Sequence, residues 1–189
     1  MVKKNVLIVL GSPRKNGNST ILANNCADGA RQAGADVEVV TLQGLNIAPC
    51  NACDACRKKP GAGCTINDDM IPLYKKIEQA DAIVLATPTY WFNMSAQLKT
   101  FIDRTYAMEK GGKYGFSGKT FGIIMTYADV DAFAAGAVNA LRSFQDMCAF
   151  VGSRIAGIVH GSAEHPGDIK KDGAALKAAF DLGKKLASP

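Results

Sequence analysis

The chain has 189 residues, of which 48% are apolar and 21% charged, and its formal net charge at pH 7 is +5. This composition is typical of a globular protein and excludes an intrinsically disordered chain. The length predicts a single domain over residues 1–189. The basic residues are spread along the chain without interleaved aromatic residues, so we expect no nucleic-acid partner.

The N-terminal segment does not predict secretion. Its apolar run covers only residues 6–10 and is followed by the basic stretch "GSPRK", whereas a signal peptide needs roughly 7–15 apolar residues and a small-residue cleavage site. No stretch approaches the roughly 20 apolar residues of a membrane span. We therefore expect a cytoplasmic protein with no membrane partner, whose thiols stay reduced.

Short runs rich in β-branched residues alternate with helix-length segments along the chain. The predicted strands cover residues 6–10, 37–42, 82–86, 120–126 and 154–160. The predicted helices cover residues 19–33, 68–79, 95–108, 133–151 and 171–186. Such alternation is typical of the α/β class, with a doubly wound parallel sheet between two layers of helices, α/β/α.

The stretch "GSPRKNGNST", residues 11–20, follows the first predicted strand directly. Gly17 permits a tight turn, and Arg14 supplies a charged donor where a helix begins. Further hydroxyl and amide donors are Ser12, Asn18, Ser19 and Thr20. Because free backbone N–H groups and the positive end of the helix dipole meet here, the loop predicts a phosphate site. It matches neither a Walker A loop nor a G-x-G-x-x-G fingerprint.

The stretch "TPTYWFNMSAQLKTFIDR", residues 87–104, follows the third predicted strand. In a doubly wound sheet the loops after the first and third strands flank the point where ligands bind. Tyr90, Trp91 and Phe92 lie in this predicted loop, where a flat conjugated ligand would stack on them. Packing against a second subunit is the alternative, and both can hold together. A phosphate at one loop and a planar ring at the next describe FMN.

Residues 43–67 show no convincing periodicity and are far longer than the roughly 2–6 residues of most βα loops. This segment contains "CNACDACRKKPGAGC", with four of the six cysteines. From the residues alone, an iron–sulfur cluster, free or redox-active thiols, a zinc site and no function all remain open. The basic side chains of Arg57, Lys58 and Lys59 would offset thiolate charge.

The other two cysteines, Cys26 and Cys148, lie on the apolar stripes of predicted helices. Free cysteine behaves as a small apolar side chain at such positions. We therefore expect both to be buried.

Together, "GSPRKNGNST", "CNACDACRKKPGAGC" and "PTYWFNMSAQLKTFIDR" resemble the NADPH-dependent FMN reductase and iron–sulfur flavoprotein group of flavodoxin-like proteins. The resemblance covers nearly the whole chain. It implies a flavodoxin-like sheet of five parallel strands in the order 2-1-3-4-5. It also implies FMN as cofactor, NAD(P)H as co-substrate and a homodimer or homotetramer.

The resemblance also assigns residues to the ligands. The FMN phosphate would be bound by Ser12, Arg14, Asn18, Ser19 and Thr20. The isoalloxazine would be lined by Pro88, Thr89, Tyr90, Trp91 and Asn93, and approached from a third loop, "TYADVD", by Thr126 and Tyr127. A [4Fe–4S] cluster would be bound by Cys50, Cys53, Cys56 and Cys64. Cys64 follows the tight triplet after seven residues, at the long end of the pattern.

The activity implied is an oxidoreductase in which flavin takes a hydride from NAD(P)H and electrons pass to a small acceptor such as free flavin or a quinone. One alternative is an electron carrier that uses FMN and the cluster to relay electrons from ferredoxin. Another is a flavin-binding module without turnover. The two histidines, His160 and His165, belong to no recognisable nucleophile–base arrangement, and we expect His160 to be a loop residue without a catalytic role.

Overall fold

The computed structural model describes residues 3–59 and 61–188. The strands in this part of the chain are β1 (Asn5–Leu10), β2 (Asp36–Thr41), β3 (Ala82–Tyr90), β4 (Asn93–Met94), β5 (Thr120–Tyr127) and β6 (Arg154–Ser162). The α-helices are α1 (Asn18–Gln32), α2 (Ala55–Lys58), α3 (Met70–Gln79), α4 (Ala96–Arg104), α5 (Ala137–Phe150) and α6 (Gly173–Ala187). Short 3-10 helices cover Thr105–Met108 and Asp168–Lys171.

The main sheet is parallel, with the strand order β2-β1-β3-β5-β6. The two-residue strand β4 lies off this path and pairs antiparallel with the end of β3. Counted without β4, the five parallel strands follow the predicted flavodoxin-like order, 2-1-3-4-5. The chain leaves β1 toward β2 on one side and continues at β3 on the other, so the carboxyl ends of β1 and β3 flank the switch point where ligands bind.

Helices cover both faces of the sheet, and β1 contributes to both cores. Val6, Ile8 and Leu10 pack in the core formed with α1 and α6. Leu7 and Val9 pack in the core formed with α3, α4 and α5. Because both faces are covered, the strand is a continuous apolar run and not an alternating one.

Three strands are longer than predicted at their carboxyl ends, and this corrects the placement of several residues. Thr87 and Pro88 of β3 pair with Met125 and Thr126 of β5, so the ladder continues past the apolar run. The expected loop residues 88–90 are therefore strand residues, as are residues 126–127. His160 likewise lies within β6 and not in a loop. The polar residues after each apolar run mark where the strand leaves the buried core, but the backbone hydrogen bonds of the strand continue past that point.

The predicted helices are confirmed with shifted boundaries. The helix predicted over residues 133–151 begins only at Ala137, because Gly136 adopts a left-handed conformation with φ of 63°. The helix predicted over residues 95–108 ends as an α-helix at Arg104. The segment predicted to lack periodicity contains the four-residue helix α2. No helix within residues 3–59 and 61–188 has the length and apolar character needed to cross a membrane.

The prediction that Cys26 and Cys148 are buried is confirmed, since their exposed fractions are 0% and 2%. Burial raises the pKa of Cys26 to about 12 and that of Cys148 to about 11. Both side chains therefore remain neutral thiols at physiological pH and contribute packing.

Candidate functional site

The loop between β1 and α1 curls around the carbonyl oxygen of Arg14. That oxygen accepts hydrogen bonds from Gly17 N at 3.0 Å, Ser12 Oγ at 3.3 Å and Thr20 Oγ1 at 3.4 Å. A Cβ at position 17 would lie 2.6 Å from Ser12 Oγ, so the turn requires glycine there. The loop is thus held in shape by its own hydroxyl groups, and the side chain of Arg14 is left exposed at its rim.

The first turn of α1 supplies donors that the protein does not use. Backbone N–H groups in the first turn of a helix lack an intrahelical acceptor, and no side chain caps this one. The Ser19 hydroxyl is buried, and it finds no hydrogen-bond partner in the part of the chain that the structure describes. An anion at this point would accept bonds from these groups and would be stabilised by the helix dipole.

Asn18 is the predicted phosphate residue whose side chain already has partners. Its Nδ2 donates to Ala163 O at 3.2 Å and His165 O at 3.0 Å, and its Oδ1 accepts from Gly167 N at 2.8 Å. The amide therefore fastens the connection after β6 to the start of α1. What Asn18 has left for a phosphate is its backbone N–H.

Ser95 joins the phosphate loop to the aromatic segment, a role that sequence reasoning missed. Its Oγ donates to Gly11 O at 2.7 Å, and its N–H donates to Thr87 Oγ1 at 3.0 Å. The same Oγ caps α4 by accepting from Leu98 N at 3.3 Å. A serine just before an amphipathic helix is the usual N-cap signal, which would have found it.

The turn between β3 and β4 has a strained backbone. Trp91 and Phe92 have φ angles of 46° and 63°, in the left-handed region that non-glycine residues rarely adopt. Phe92 is fixed by Asn139 Nδ2, which donates to its carbonyl oxygen at 3.2 Å. Trp91 is 92% exposed. Such strain costs on the order of 1–3 kcal/mol per residue and clusters at functional sites.

A cleft of about 620 Å³ lies between this turn and the end of β5, and its lining residues are Thr89, Tyr90, Trp91, Phe92, Tyr127, Ala128, Asp129 and Ala135. Thr89 Oγ1 is buried without a partner among residues 3–59 and 61–188. Tyr127 lies beside His160, with 2.9 Å between its hydroxyl and Nδ1; burial raises the pKa of Tyr127.

Not every residue predicted for the ring lines the cleft. Thr126 is buried behind it, with 4% of its surface exposed. The Asn93 side chain accepts from Met94 N at 2.9 Å, and Pro88 is half-buried within β3. Four of the predicted ring residues therefore line the cleft: Thr89, Tyr90, Trp91 and Tyr127. Their contacts with a flavin, and those of the phosphate loop, stay predictions.

The observations fit FMN at both ends of the candidate site, the phosphate loop and the aromatic cleft. A buried, unpaired hydroxyl stands at the phosphate loop (Ser19) and another at the aromatic cleft (Thr89). A buried hydroxyl without a partner is costly, roughly 1–3 kcal/mol. A ligand with a phosphate and a polar-edged ring would satisfy both.

The four clustered cysteines line a second cavity, of about 270 Å³, and all four are free thiols. The backbone winds around it through left-handed residues, Ala52 with φ of 53° and Asp54 with φ of 57°. Among residues 3–59 and 61–188, no three His, Cys, Asp or Glu side chains lie close enough together to hold one metal ion. Four thiols around one cavity are the donor set of an iron–sulfur cluster and also of a four-cysteine zinc site.

The thiols differ in acidity. Hydrogen bonds from the backbone of Ala55 and from Thr65, whose Oγ1 is 3.7 Å from the sulfur, lower the pKa of Cys53. Burial, and then the charges of the neighbouring cysteines, raise the pKa of Cys56. Cys53 is therefore converted more readily than Cys56 to the thiolate that a metal cluster binds.

Arg57, expected to offset thiolate charge together with Lys58 and Lys59, has an acidic partner of its own. Its guanidinium pairs with Glu109 at 2.5 Å and lies 5.2 Å from the Tyr106 ring centroid. These contacts attach α2 to the 3-10 helix Thr105–Met108, which follows α4. The turn "KKPGAG" includes Pro60, which lies outside the described residues.

Arg104 supplies the buried positive charge at the cysteine cavity, and sequence reasoning missed it. It lines the cavity and pairs with Asp68, with side-chain exposures of 1% and 3%. Burial disfavours its charged form, but the bond to Asp68 raises the pKa of Arg104 above its ordinary value. Leu98, Phe101 and Arg104 follow one another at intervals of three residues on the buried face of α4. This spacing is the sequence signal that could have predicted a buried Arg104.

The family model described as NADPH-dependent FMN reductase matches residues 4–164 of the chain. An iron–sulfur flavoprotein of Methanocaldococcus jannaschii is 29% identical, with 96% of this chain and 95% of the relative covered. An iron–sulfur flavoprotein of Archaeoglobus fulgidus is 34% identical, over 95% of this chain and 77% of the relative. The structure of an NAD(P)H:quinone oxidoreductase from Methanothermobacter marburgensis superimposes with a TM-score of 0.75 at 21% identity, covering 100% and 99% of the two chains.

Proposed function

Since the chain belongs to the NADPH-dependent FMN reductase family, we propose that it passes electrons from NAD(P)H, by way of FMN, to a small planar acceptor of the quinone or free-flavin class. The membership confirms the resemblance to that group and the expectation of a flavin-dependent oxidoreductase. What we propose beyond this membership is the class of the acceptor and the residues that bind each ligand.

One observation carries the proposal: two buried hydroxyls without partners, Ser19 Oγ and Thr89 Oγ1, mark the ends of a site beyond β1 and β3. The switch point of a doubly wound sheet is where such ligands bind. The phosphate would accept bonds from the first turn of α1 and from the exposed Arg14 side chain. Charge-assisted bonds of this kind contribute roughly 1.5–3 kcal/mol each.

FMN, when bound, supplies the hydride-accepting ring, so the chain has to position and shield it rather than provide an acid–base pair. Thr89, at the end of β3, would bond the ring edge. Ser95 keeps the two binding loops at a fixed separation through its bonds to Gly11 and Thr87. The exposed Trp91 side chain, which lines the cleft, would help to shield the ring.

The form of the cleft supports a planar acceptor. It is about 620 Å³ in volume, and three aromatic side chains follow one another along its rim. A flat aromatic acceptor would stack there without needing a specific hydrogen bond. The relative from M. marburgensis that shares the fold is named a quinone oxidoreductase, which is consistent with this class.

We further propose that Cys50, Cys53, Cys56 and Cys64 bind a [4Fe–4S] cluster. The four free thiols, the cavity between them and the relatives named iron–sulfur flavoproteins support it. The cluster would supply single-electron transfer, while the chain contributes four thiolates and the buried Arg104.

An electron carrier is the second candidate, and α4 favours it. This helix begins at Ala96, directly after its N-cap Ser95 beside the proposed flavin site, and ends at Arg104, beside the cysteine cavity. Nine residues of helix are about 13 Å long, so one rigid element connects the two centres. The net charge of +5 would suit an acidic donor such as ferredoxin.

We also propose a homodimer or homotetramer formed at the rim of the cleft. Trp91, Val130 and Phe133 are exposed by 92%, 85% and 80% in neighbouring turns, and exposed apolar side chains that cluster mark interaction sites. Sedimentation of the FMN-loaded protein tests the assembly, and a monomer at all concentrations would rule it out.

The activity is tested by mixing FMN-loaded protein with NADPH and a soluble naphthoquinone without oxygen, and, separately, with reduced ferredoxin in place of NADPH. The proposed function predicts quinone reduction that depends on NADPH. Flavin reduction by ferredoxin alone would select the carrier, and reduction by neither donor would leave a binding module.

A further inference from the structure

The guanidinium of Arg104 has five N–H donors, and the protein uses four of them. Nη1 donates to Ala48 O at 2.8 Å and to Asp68 Oδ2 at 2.5 Å. Nη2 donates to Asp68 Oδ1 at 3.1 Å and to Ile66 O at 3.3 Å. The fifth donor, Nε–H, is buried and has no acceptor within residues 3–59 and 61–188.

The acceptors of Arg104 lie at the two ends of the cysteine segment. Ala48 precedes Cys50 by two residues, and Ile66 follows Cys64 by two. One side chain on α4 therefore bonds both ends of the segment, and Asp68 reinforces this by accepting from Ala48 N at 2.9 Å. Removing Arg104 would leave the carboxylate of Asp68 buried without its partner, which is strongly destabilising.

The unused Nε–H is the more informative feature. A buried charged donor without an acceptor costs more than an unpaired neutral donor does. Arg104 lines the cavity that the four cysteines surround, so a sulfur-containing anion in that cavity would satisfy it. Hydrogen bonds to the sulfurs of a cluster, and positive charge near it, favour the reduced form, which carries more negative charge.

We propose that Arg104 is a positioning residue of the cysteine cavity, which holds the ends of the cysteine segment and donates its Nε–H to a sulfur of the [4Fe–4S] cluster, raising the reduction potential of the cluster. The inference rests on the proposed cluster and extends it to a residue outside the cysteine motif. The role is specific to arginine, because lysine keeps the charge but lacks the planar fork that reaches three acceptor groups.

The test compares reconstituted wild-type protein with R104K and with the matched control R57K. The control changes a second arginine near the cysteines, but that arginine is paired with Glu109. Iron content, flavin content and the midpoint potential of the cluster are measured by anaerobic redox titration with electron paramagnetic resonance. We expect R104K to shift the potential to a more negative value and R57K to leave it unchanged.

A second measurement uses only proteins that retain Arg104, the wild type and R57K. Protein with isotopically labelled arginine nitrogen is reduced, and coupling between the cluster and arginine nitrogen is sought by electron–nuclear double resonance. We expect a coupling that persists in R57K. If R104K folds without binding iron, this spectrum decides: a coupling supports the inference, and its absence overturns it.

The failures are distinguishable. Wild-type protein that takes up no iron contradicts the proposed cluster itself. Wild-type protein that binds iron, with R104K at the same potential, overturns the role of Arg104 and leaves the cluster in place.

Discussion

The two ends of α4 present two different ways to build a binding site. At its N-terminus lies the proposed flavin site (the flavin end), which regular elements build: two parallel strands lead into two neighbouring loops, and Ser95 bonds these loops together. At its C-terminus, an irregular segment surrounds the cysteine cavity and depends on the ion pair between Arg104 and Asp68. The flavin end derives its geometry from the fold itself, whereas the cysteine end derives its geometry from one buried side chain.

This contrast has a thermodynamic consequence. Donors at the start of a helix are present in every molecule that folds, so the proposed phosphate site should persist when single contacts are lost. A loop held by one buried ion pair loses its shape when either partner is removed, because the remaining charge is left in the interior. Substitutions at the two ends of α4 should therefore have separable effects.

The largest expected effect is at the cysteine end. Cys53→Ser should abolish iron binding, because it removes one of the four thiolates that the cluster needs, and should leave flavin content unchanged. Iron and flavin are measured on protein reconstituted without oxygen. Cys148→Ala, in the core and remote from the cavity, is the control and should keep its iron. Iron retained in Cys53→Ser would remove this residue from the ligand set.

The next effect is at the flavin end. Gly17→Ala should weaken FMN binding by about tenfold or more, since a Cβ would lie 2.6 Å from Ser12 Oγ and 3.2 Å from Arg14 O. Fluorescence titration of the apoprotein with FMN gives the Kd. Gly173→Ala is the matched control, because a Cβ there meets no atom within 4 Å. Equal losses of FMN affinity in both variants would contradict the assignment of residues 11–20 to the FMN phosphate.

Arg14→Ala tests the charge at the same site. The loss of one charge-assisted bond of roughly 1.5–3 kcal/mol predicts an FMN Kd about 10–100-fold higher. The same titration applies, with Arg31→Ala, at the other end of α1, as the control that should bind normally. An unchanged affinity would mean that the exposed side chain does not reach the phosphate.

The buried pair at the cysteine end should respond to acid. Burial favours the protonated form of Asp68, but bonds from Arg104 and from the backbone of Ala48 and Met70 hold its pKa below the ordinary value. A lowered pKa contributes stability that is present above about pH 4 and lost as the pH falls through the folded pKa.

Asp68→Asn should therefore cost about 3–5 kcal/mol at pH 7, and the difference from wild type should shrink below pH 4. Thermal unfolding followed by circular dichroism from pH 7 to pH 2 measures it. Asp103→Asn, at an exposed position of α4 next to Arg104, should change stability by no more than about 1 kcal/mol. A stability difference between Asp68→Asn and wild type that stays constant across this pH range would contradict a stabilising role for the ionised carboxylate of Asp68.

The smallest expected effect on stability is at the rim of the cleft. Trp91→Ala should change the free energy of unfolding by no more than about 0.5 kcal/mol, since the ring is exposed. It should raise KM for a quinone acceptor several-fold and leave KM for NADPH less affected. Phe150→Ala, a second exposed aromatic at the end of α5, is the control. Unchanged KM for the quinone would place the acceptor elsewhere.

The sequence predicted the flavin end far better than the cysteine end. Alternating apolar runs and helices determine the sheet, and the sheet brings residues 11–20 and 87–93 together without any knowledge of side-chain contacts. The roles of Ser95 and Asn18 were not predicted, because each bonds a backbone group far along the chain. The continuation of β3 to Tyr90 was also missed, since polar strand ends resemble loops in a sequence.

At the cysteine end, the sequence indicated the thiols but not what holds them. Arg57 is next to Cys56 in the sequence, yet it pairs with Glu109, while Arg104, 40 residues from Cys64, provides the buried charge. Pairing over such distances depends on how α4 packs on the sheet. No local pattern contains that information.

The most direct measurement of the central claim is the absorption spectrum of protein purified without oxygen, before and after addition of NADPH. We predict flavin bands on a broad iron–sulfur shoulder, and bleaching of the flavin bands by NADPH. A flavin spectrum that NADPH leaves unchanged would contradict the proposed oxidoreductase. Bleached flavin bands without a shoulder would retain the oxidoreductase and remove the cluster from the cysteine cavity.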